Sequence, residues 1–168
     1  MTKLDVLDLH SNKISRIENI NHLADLRVLN LANNLITNVS NLTGLFSLTE
    51  LNLRRNLIDS VSGLQTCSRL QRVFLSNNRI DKFDNITCVK DCAQLSELAL
   101  DGNPLHSQKG YVEQILKHCG NLKQLDTRKI TPEMRQDPTN VNLDDKPHDL
   151  NATVDNESTT GISHSEGL

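Results

Sequence analysis

The stretch LDLHSNKISRIENINHLADLRVLNL, residues 7–31, carries two apolar series at once. Leu7 and Leu9 return one period later as Leu29 and Leu31, and between them Ile14, Ile17, Ile20 and Leu23 follow at intervals of three. Asn12 stands between the two series. Neither a helical period of about 3.6 nor a strand period of about 2 accounts for the whole unit.

Working outward, the pattern LxxLxLxxN begins at Leu4, Leu26, Leu48 and Leu70, with Val73 replacing one leucine, each 22 residues after the last, and again at Leu95 after a step of 25. The spaced series recurs as Ile36, Val39, Leu42, Leu45 and as Ile58, Val61, Leu64, Cys67. A period of this length is the mark of a solenoid, in which each copy makes a short strand and turns back through 3₁₀ or extended chain. The fold class expected is therefore α/β, with parallel strands on the concave face and 3₁₀ or extended returns on the convex face. One such coil cannot close its own apolar surface, so it is stable only when stacked.

The asparagines Asn12, Asn34, Asn56, Asn78 and Asn103 recur as regularly as the leucines. At the bend after each strand, an amide can satisfy backbone groups of adjacent coils that would otherwise be buried without partners. The expectation is a structural ladder of asparagines. Aromatic residues make up only 2% of the chain and Trp is absent, so the core must be built from Leu, Ile and Val.

After Asn103 the return series gives way to Pro104, a loop and a helix expected over 109–118. Tyr111, Val112, Ile115 and Leu116 can cover the last coil, and Leu122 and Leu125 repeat the strand spacing once more. This predicts a C-terminal cap over 104–135, closing a repeat domain of residues 1–135. At the other end only Met1, Thr2 and Lys3 precede the first repeat. Two expectations stay open there: further coils or a cap precede this segment in the full protein, or the edge of Leu4, Leu7 and Leu9 is open to solvent and association, with a truncated or naturally short product favoured.

Residues 1–135 hold 17 Lys and Arg against 14 Asp and Glu, whereas 136–168 hold 7 acidic residues and Lys146 alone as a base. Scattered Leu and Val without period cannot offset ordering entropy, so 136–168 reads as a disordered acidic tail. No charged and apolar leader and no apolar run long enough to span a bilayer is present, which makes cytosol the default location. The sequons at Asn38, Asn41, Asn85, Asn151 and Asn156 are then accidents of an Asn-rich chain. Cys67 and Cys92 fall on inward positions and Cys119 follows an apolar helix face, so buried free thiols are expected. Cys88 and Cys92 lack the second ligand pair that a zinc site needs.

Solenoids work through their concave sheet. The residues between the inward leucines give three outward rows: Val6, Val28, Glu50, Arg72, Glu97; Asp8, Asn30, Asn52, Phe74, Ala99; and His10, Ala32, Arg54, Ser76, Asp101. The candidate partner-binding set is Glu50, Asn52, Arg54, Arg55, Arg72, Phe74, Glu97 and Asp101. Phe74 is expected to stand exposed beside Arg54 and Arg72, and aromatic plus Arg is the composition enriched in binding hot spots. Two readings stay open: a hot spot, or a Phe packed on its neighbours. His10 reads as a lone surface residue and Phe83 as core. No Gly-rich phosphate loop, GxSxG or HExxH occurs, so no catalytic site, cofactor or metal is expected. The modest charge, without a basic stripe carrying aromatics, argues against nucleic acid.

LxxLxLxxN, the 22-residue period and the cap resemble the short cytosolic leucine-rich repeat class typified by the regulatory subunit of protein phosphatase 1. The linking segments LDLHSNKISRIENINHLADLRVLNLANN, SLTELNLRRN, FDNITCVKDC, DGNPL and LKQLDTRKIT are similar, more specifically, to the repeat subunits associated with the tubulin polyglutamylase complex. That resemblance implies a non-catalytic adaptor whose partners are polyglutamylase subunits or tubulin, acting at microtubules, centrosomes or cilia. The alternative is a phosphatase regulator using the same face.

Overall fold

The computed structural model describes residues 3–141; the acidic segment read from 136 onward lies outside the described residues beyond Val141. Three-residue strands form where the apolar-polar alternation falls: β1 (Val6–Asp8), β2 (Val28–Asn30), β4 (Glu50–Asn52), β6 (Arg72–Phe74) and β7 (Glu97–Ala99). All pair in parallel with equivalent residues opposite one another, as Leu7 with Leu29 and Leu29 with Leu51. A step of one coil is thus a step of one strand.

The central residue of each strand turns inward. Leu29, Leu51, Val73 and Leu98 are fully buried, and so are Ile36, Leu45, Ile58 and Leu64 from the returning series. The returns carry a second, two-stranded parallel sheet, β3 (Asn38–Val39) with β5 (Ser60–Val61). Later coils turn back through 3₁₀ helix at Leu64–Thr66 and Phe83–Asp91. The longer of these helices takes up the extra residues of the 25-residue step, and it buries Phe83, Ile86 and Val89. The core is therefore one continuous apolar column, and the chain is an α/β solenoid.

Two bends per coil require left-handed backbone. The first falls at Ser11, Asn33, Arg55, Asn77 and Gly102, with φ between 55° and 71°. The second falls at Asn19, Asn41 and Gly63. Asn tolerates this region better than most residues, and Gly freely. Ser11 and Arg55 are neither Asn nor Gly; their bends are held by the stack, the Ser11 N–H donating to the Ala32 carbonyl at 2.9 Å and the Arg55 N–H to the Ser76 carbonyl at 3.0 Å.

The residue after the first bend is the recurring asparagine. The Asn56 amide donates to the Leu53 carbonyl of its own coil at 3.1 Å and to the Leu31 carbonyl of the preceding coil at 3.0 Å, while its Oδ1 accepts from the Ile36 N–H at 3.0 Å. Asn34, Asn78 and Asn103 repeat these bonds, and all four are buried. Asn12 is exposed and makes only the bonds within its own coil, to the Leu9 and His10 carbonyls. Among the described residues no preceding coil completes the rung.

The C-terminal end is closed differently. Helix α1 (Tyr111–His118) buries Tyr111, Val112, Ile115 and Leu116 against the last coil. The short strand β8 (Gln124–Leu125) extends the main sheet in parallel, and β9 (Arg128–Lys129) turns back on it antiparallel. Helix α2 (Pro132–Gln136) follows, capped by the Thr131 hydroxyl, which accepts from the Met134 N–H at 3.3 Å. The Arg135 guanidinium donates to the Leu122 carbonyl at 2.6 Å, tying this helix to the end of α1. Met134 and Val141 pack against the core, so packed chain continues past residue 135.

All four cysteines are free, with Cys67 and Cys119 buried and Cys88 and Cys92 half-buried. Burial pushes the Cys92 thiol up to about 12 and the Cys119 thiol to about 11, which keeps both protonated and unreactive at neutral pH. Among the described residues no His, Cys, Asp and Glu gather as a metal site, and no helix is long and apolar enough to cross a membrane.

Candidate functional site: the concave face

The outward rows lie on the main sheet, but they are less open than an alternating strand suggests. In the first row Arg72 forms an ion pair with Glu50 on the neighbouring strand, and Glu97 stands opposite Arg72 in register on its other side. Arg27 is likewise paired with Asp5. Within the first row, charge alternates over Glu50, Arg72 and Glu97, with Arg72 held by Glu50.

The second row holds the strand ends. Oδ1 of Asn52 accepts from the Arg54 N–H at 3.2 Å, Asn30 does the same for Ala32 at 3.1 Å, and Asp8 for His10 at 3.1 Å. These side chains bend over their own backbone, as Asn and Asp do in turns. His10 is not alone: its Nδ1 lies 2.7 Å from the Asp8 carboxylate, and the imidazole remains solvent-facing.

Phe74 contradicts its expectation. It retains only 7% of its surface, because the Arg54 guanidinium lies 4.0 Å from its ring centroid and closes it from solvent. Arg54 lies two residues beyond β4 and Phe74 ends the neighbouring β6, and a cation over an aromatic face is favourable in its own right. Ala99 and Ser76 are buried as well. What the face presents at its centre is thus the Arg54 guanidinium, with the ring beneath it as a platform.

Arg54 and Arg55 open onto a groove of about 450 Å³ along the strand ends, lined also by His10, Asn33, Asn77 and Asp101. Of the candidate partner-binding residues, Arg54, Arg55 and Asp101 meet there, while Glu50, Asn52, Arg72 and Glu97 stay on the sheet beside it. The groove ends at a half-buried polar cluster that the repeat pattern did not reveal. Asp126 accepts from the Leu100 N–H at 2.7 Å, from the Asp101 N–H at 3.0 Å and from the Tyr111 hydroxyl at 3.1 Å. Burial pushes the Asp126 carboxyl above the usual carboxylate range, against the lowering effect of these donors and of His106. Burial also raises the Tyr111 phenol well above its ordinary value, so it stays a donor. Asp126 occupies the same strand register as Asp8, Asn30 and Asn52, and that was the available signal. The Ser76 hydroxyl, one strand further in, donates to Asp101 at 2.5 Å.

A stack of 22-residue coils with a recurring asparagine and an open concave sheet defines a leucine-rich repeat domain of the kind that binds protein partners. The chain belongs to the leucine-rich repeat family, whose pattern it matches over residues 1–154. It is 49% identical over 51 residues to human leucine-rich repeat-containing protein 49 (Homo sapiens), a stretch covering 30% of this chain and 7% of that protein. The chain thus matches only a small fraction of that relative's length. Among solved structures it resembles a chain of the Drosophila melanogaster SNF/U2A' complex, with a TM-score of 0.75 and 29% identity, covering 78% of this chain and 77% of that one. A leucine-rich repeat protein of Leptospira interrogans aligns with a TM-score of 0.62 and 26% identity over 70% of this chain and 30% of the other.

Proposed function

We propose that this chain is a non-catalytic adaptor that docks a protein partner through its concave face and serves a tubulin polyglutamylase complex at microtubules, centrosomes or cilia. The observation that carries the docking surface is the Arg54–Phe74 pair beside Arg55, an anchor-like composition set on a rigid sheet. Its assignment to polyglutamylase rests on the likeness to leucine-rich repeat-containing protein 49 and to the repeat subunits of that complex, with tubulin and polyglutamylase subunits as the partners. The alternative is a module like the phosphatase regulatory subunit, using the same face. The similar chain crystallised in the SNF/U2A' complex supports a solenoid of this length working within an assembly.

Capture of interacting proteins from ciliated-cell extract on the immobilised chain, followed by mass spectrometry, separates these. Polyglutamylase subunits with tubulin support the first reading, and phosphatase catalytic subunit the second. The Arg72→Ala, Phe74→Ala double variant is expected to lose the captured partner. Full retention by a variant that melts as a folded protein would remove the concave centre from the account.

A further inference from the structure

Most charges on and around the concave sheet are already answered. Lys3 lies near Asp25, Arg27 pairs with Asp5, and Arg72 with Glu50. At the far end of the groove two acidic side chains remain, Asp101 with the Ser76 hydroxyl donating to it and Asp126 with two backbone N–H groups and the Tyr111 hydroxyl, so the cationic part of the groove is confined to Arg54 and Arg55. Arg54 and Arg55 differ, because neither is paired with a carboxylate among the described residues. Two successive guanidiniums therefore face one groove, between the exposed Asn33 and Asn77.

Both have reason to be held there. The Phe74 ring lies beneath the Arg54 guanidinium at 4.0 Å, and the left-handed backbone at Arg55, with φ of 55°, turns the chain at the groove's edge. A guanidinium oriented in this way presents a fork of N–H donors that matches a carboxylate bidentately, which a mobile lysine does not. Two like charges side by side at this end of the groove leave an anionic side chain as their complement there, while Asp101 and Asp126 turn it away from the other end.

We infer that the groove over Arg54 and Arg55 receives an extended, acidic segment of a protein partner, with a Glu or Asp carboxylate chelated by the two guanidiniums. The inference rests on the docking reading above and adds the chemistry of what docks. The segment's backbone finds the Asn33 and Asn77 amides on either side.

The test is fluorescence anisotropy of a labelled Glu-rich octapeptide and its Gln counterpart against the full chain, at about 0.05 M and about 0.5 M salt. The Glu peptide is expected to bind, to weaken steeply with salt, and to lose about tenfold in affinity with Arg54→Gln or Arg55→Gln. Arg54→Lys recovers part of the loss, and Lys90→Gln, an exposed residue on the convex 3₁₀ return, changes little. Arg55 is exposed, so its variant keeps the test valid should Arg54→Gln fail to fold. Equal binding of the Gln peptide, or indifference to both arginine variants, overturns the inference. So does an oligothymidylate that binds with the same arginine dependence, since the groove would then read phosphate. A further arm neutralises the six acidic residues between 144 and 166 of the chain itself as amides. Tighter peptide binding by that variant, reversed by a free peptide of residues 142–168, would give the groove to the chain's own C-terminal segment and overturn the assignment to a partner. Failure here with partner capture intact sinks only the acidic-segment inference, whereas absence of any captured partner sinks the docking reading.

Discussion

The first and last described coils are built from the same repeat and are covered to different degrees. At the first coil Leu4 and Val6 are 42% and 52% exposed, Leu7, Leu9 and Ile14 are half-buried, and Asn12 is left with the bonds of its own coil. At the last coil α1 and β9 cover the column, Ile115 is fully buried, and Asp126 closes the polar edge. A coil's contribution is therefore set by its neighbour as much as by its residues. The asparagine makes this plain: at Asn56 the bonds to the Leu31 carbonyl and the Ile36 N–H reach into the preceding coil, and their counterparts are missing at Asn12.

The largest effect that can break this comparison is a cavity at the closed end. Ile115→Ala should cost about 3 kcal/mol in denaturant unfolding, whereas Leu9→Ala, half-buried at the open end, should cost about 1 kcal/mol. Equal losses would mean that α1 does not cap the stack. Next come the ladder residues. Asn78→Ala leaves the Leu53 and Leu75 carbonyls and the Ile58 N–H without their partner, an expected loss of about 2 kcal/mol. Asn12→Ala should change stability by less than about 0.5 kcal/mol, and a matching loss at both positions would contradict the half-rung at the open end.

Smaller again is the bend before Asn103. Gly102 has φ of 71°, and a methyl group there would meet the Asn77 amide, so Gly102→Ala should cost about 1 kcal/mol or somewhat more. The smallest effect is in pH dependence. Because the folded Asp126 carboxyl holds its proton more readily than the unfolded one, its contribution is fully present below the ordinary value of 3.8 and is lost as pH rises through the raised folded value. Asp126→Asn should therefore be at least as stable as wild type near neutral pH, with the advantage shrinking on acidification. A wild-type advantage that grows toward neutral pH in thermal melts would reverse that sign.

The apolar column was legible because the period places every inward leucine without reference to anything distant. Phe83, assigned inward from its spacing, is 7% exposed and stacks on the His118 ring at a centroid distance of 4.9 Å. The site was less legible, for a physical reason. Alternation says which face a side chain leaves from, not what lies over it, and Phe74 leaves toward solvent only to be covered by an arginine from the next strand. Asn52 and Asp8 likewise look available in the rows, yet they bond to the backbone two residues on. Asp126 escaped notice because its partners Leu100 and Tyr111 come from two different elements, a juxtaposition that no spacing encodes.

The central claim, a concave docking face, is tested most directly by placing a photo-crosslinking side chain at Ala32, in the groove, and in a separate protein at Gln65, on the convex return. Each is irradiated with the captured partner bound. The account predicts a crosslinked product from the Ala32 position and none from Gln65. Crosslinking from Gln65 with none from Ala32 would contradict it, moving the partner to the convex side of the coils.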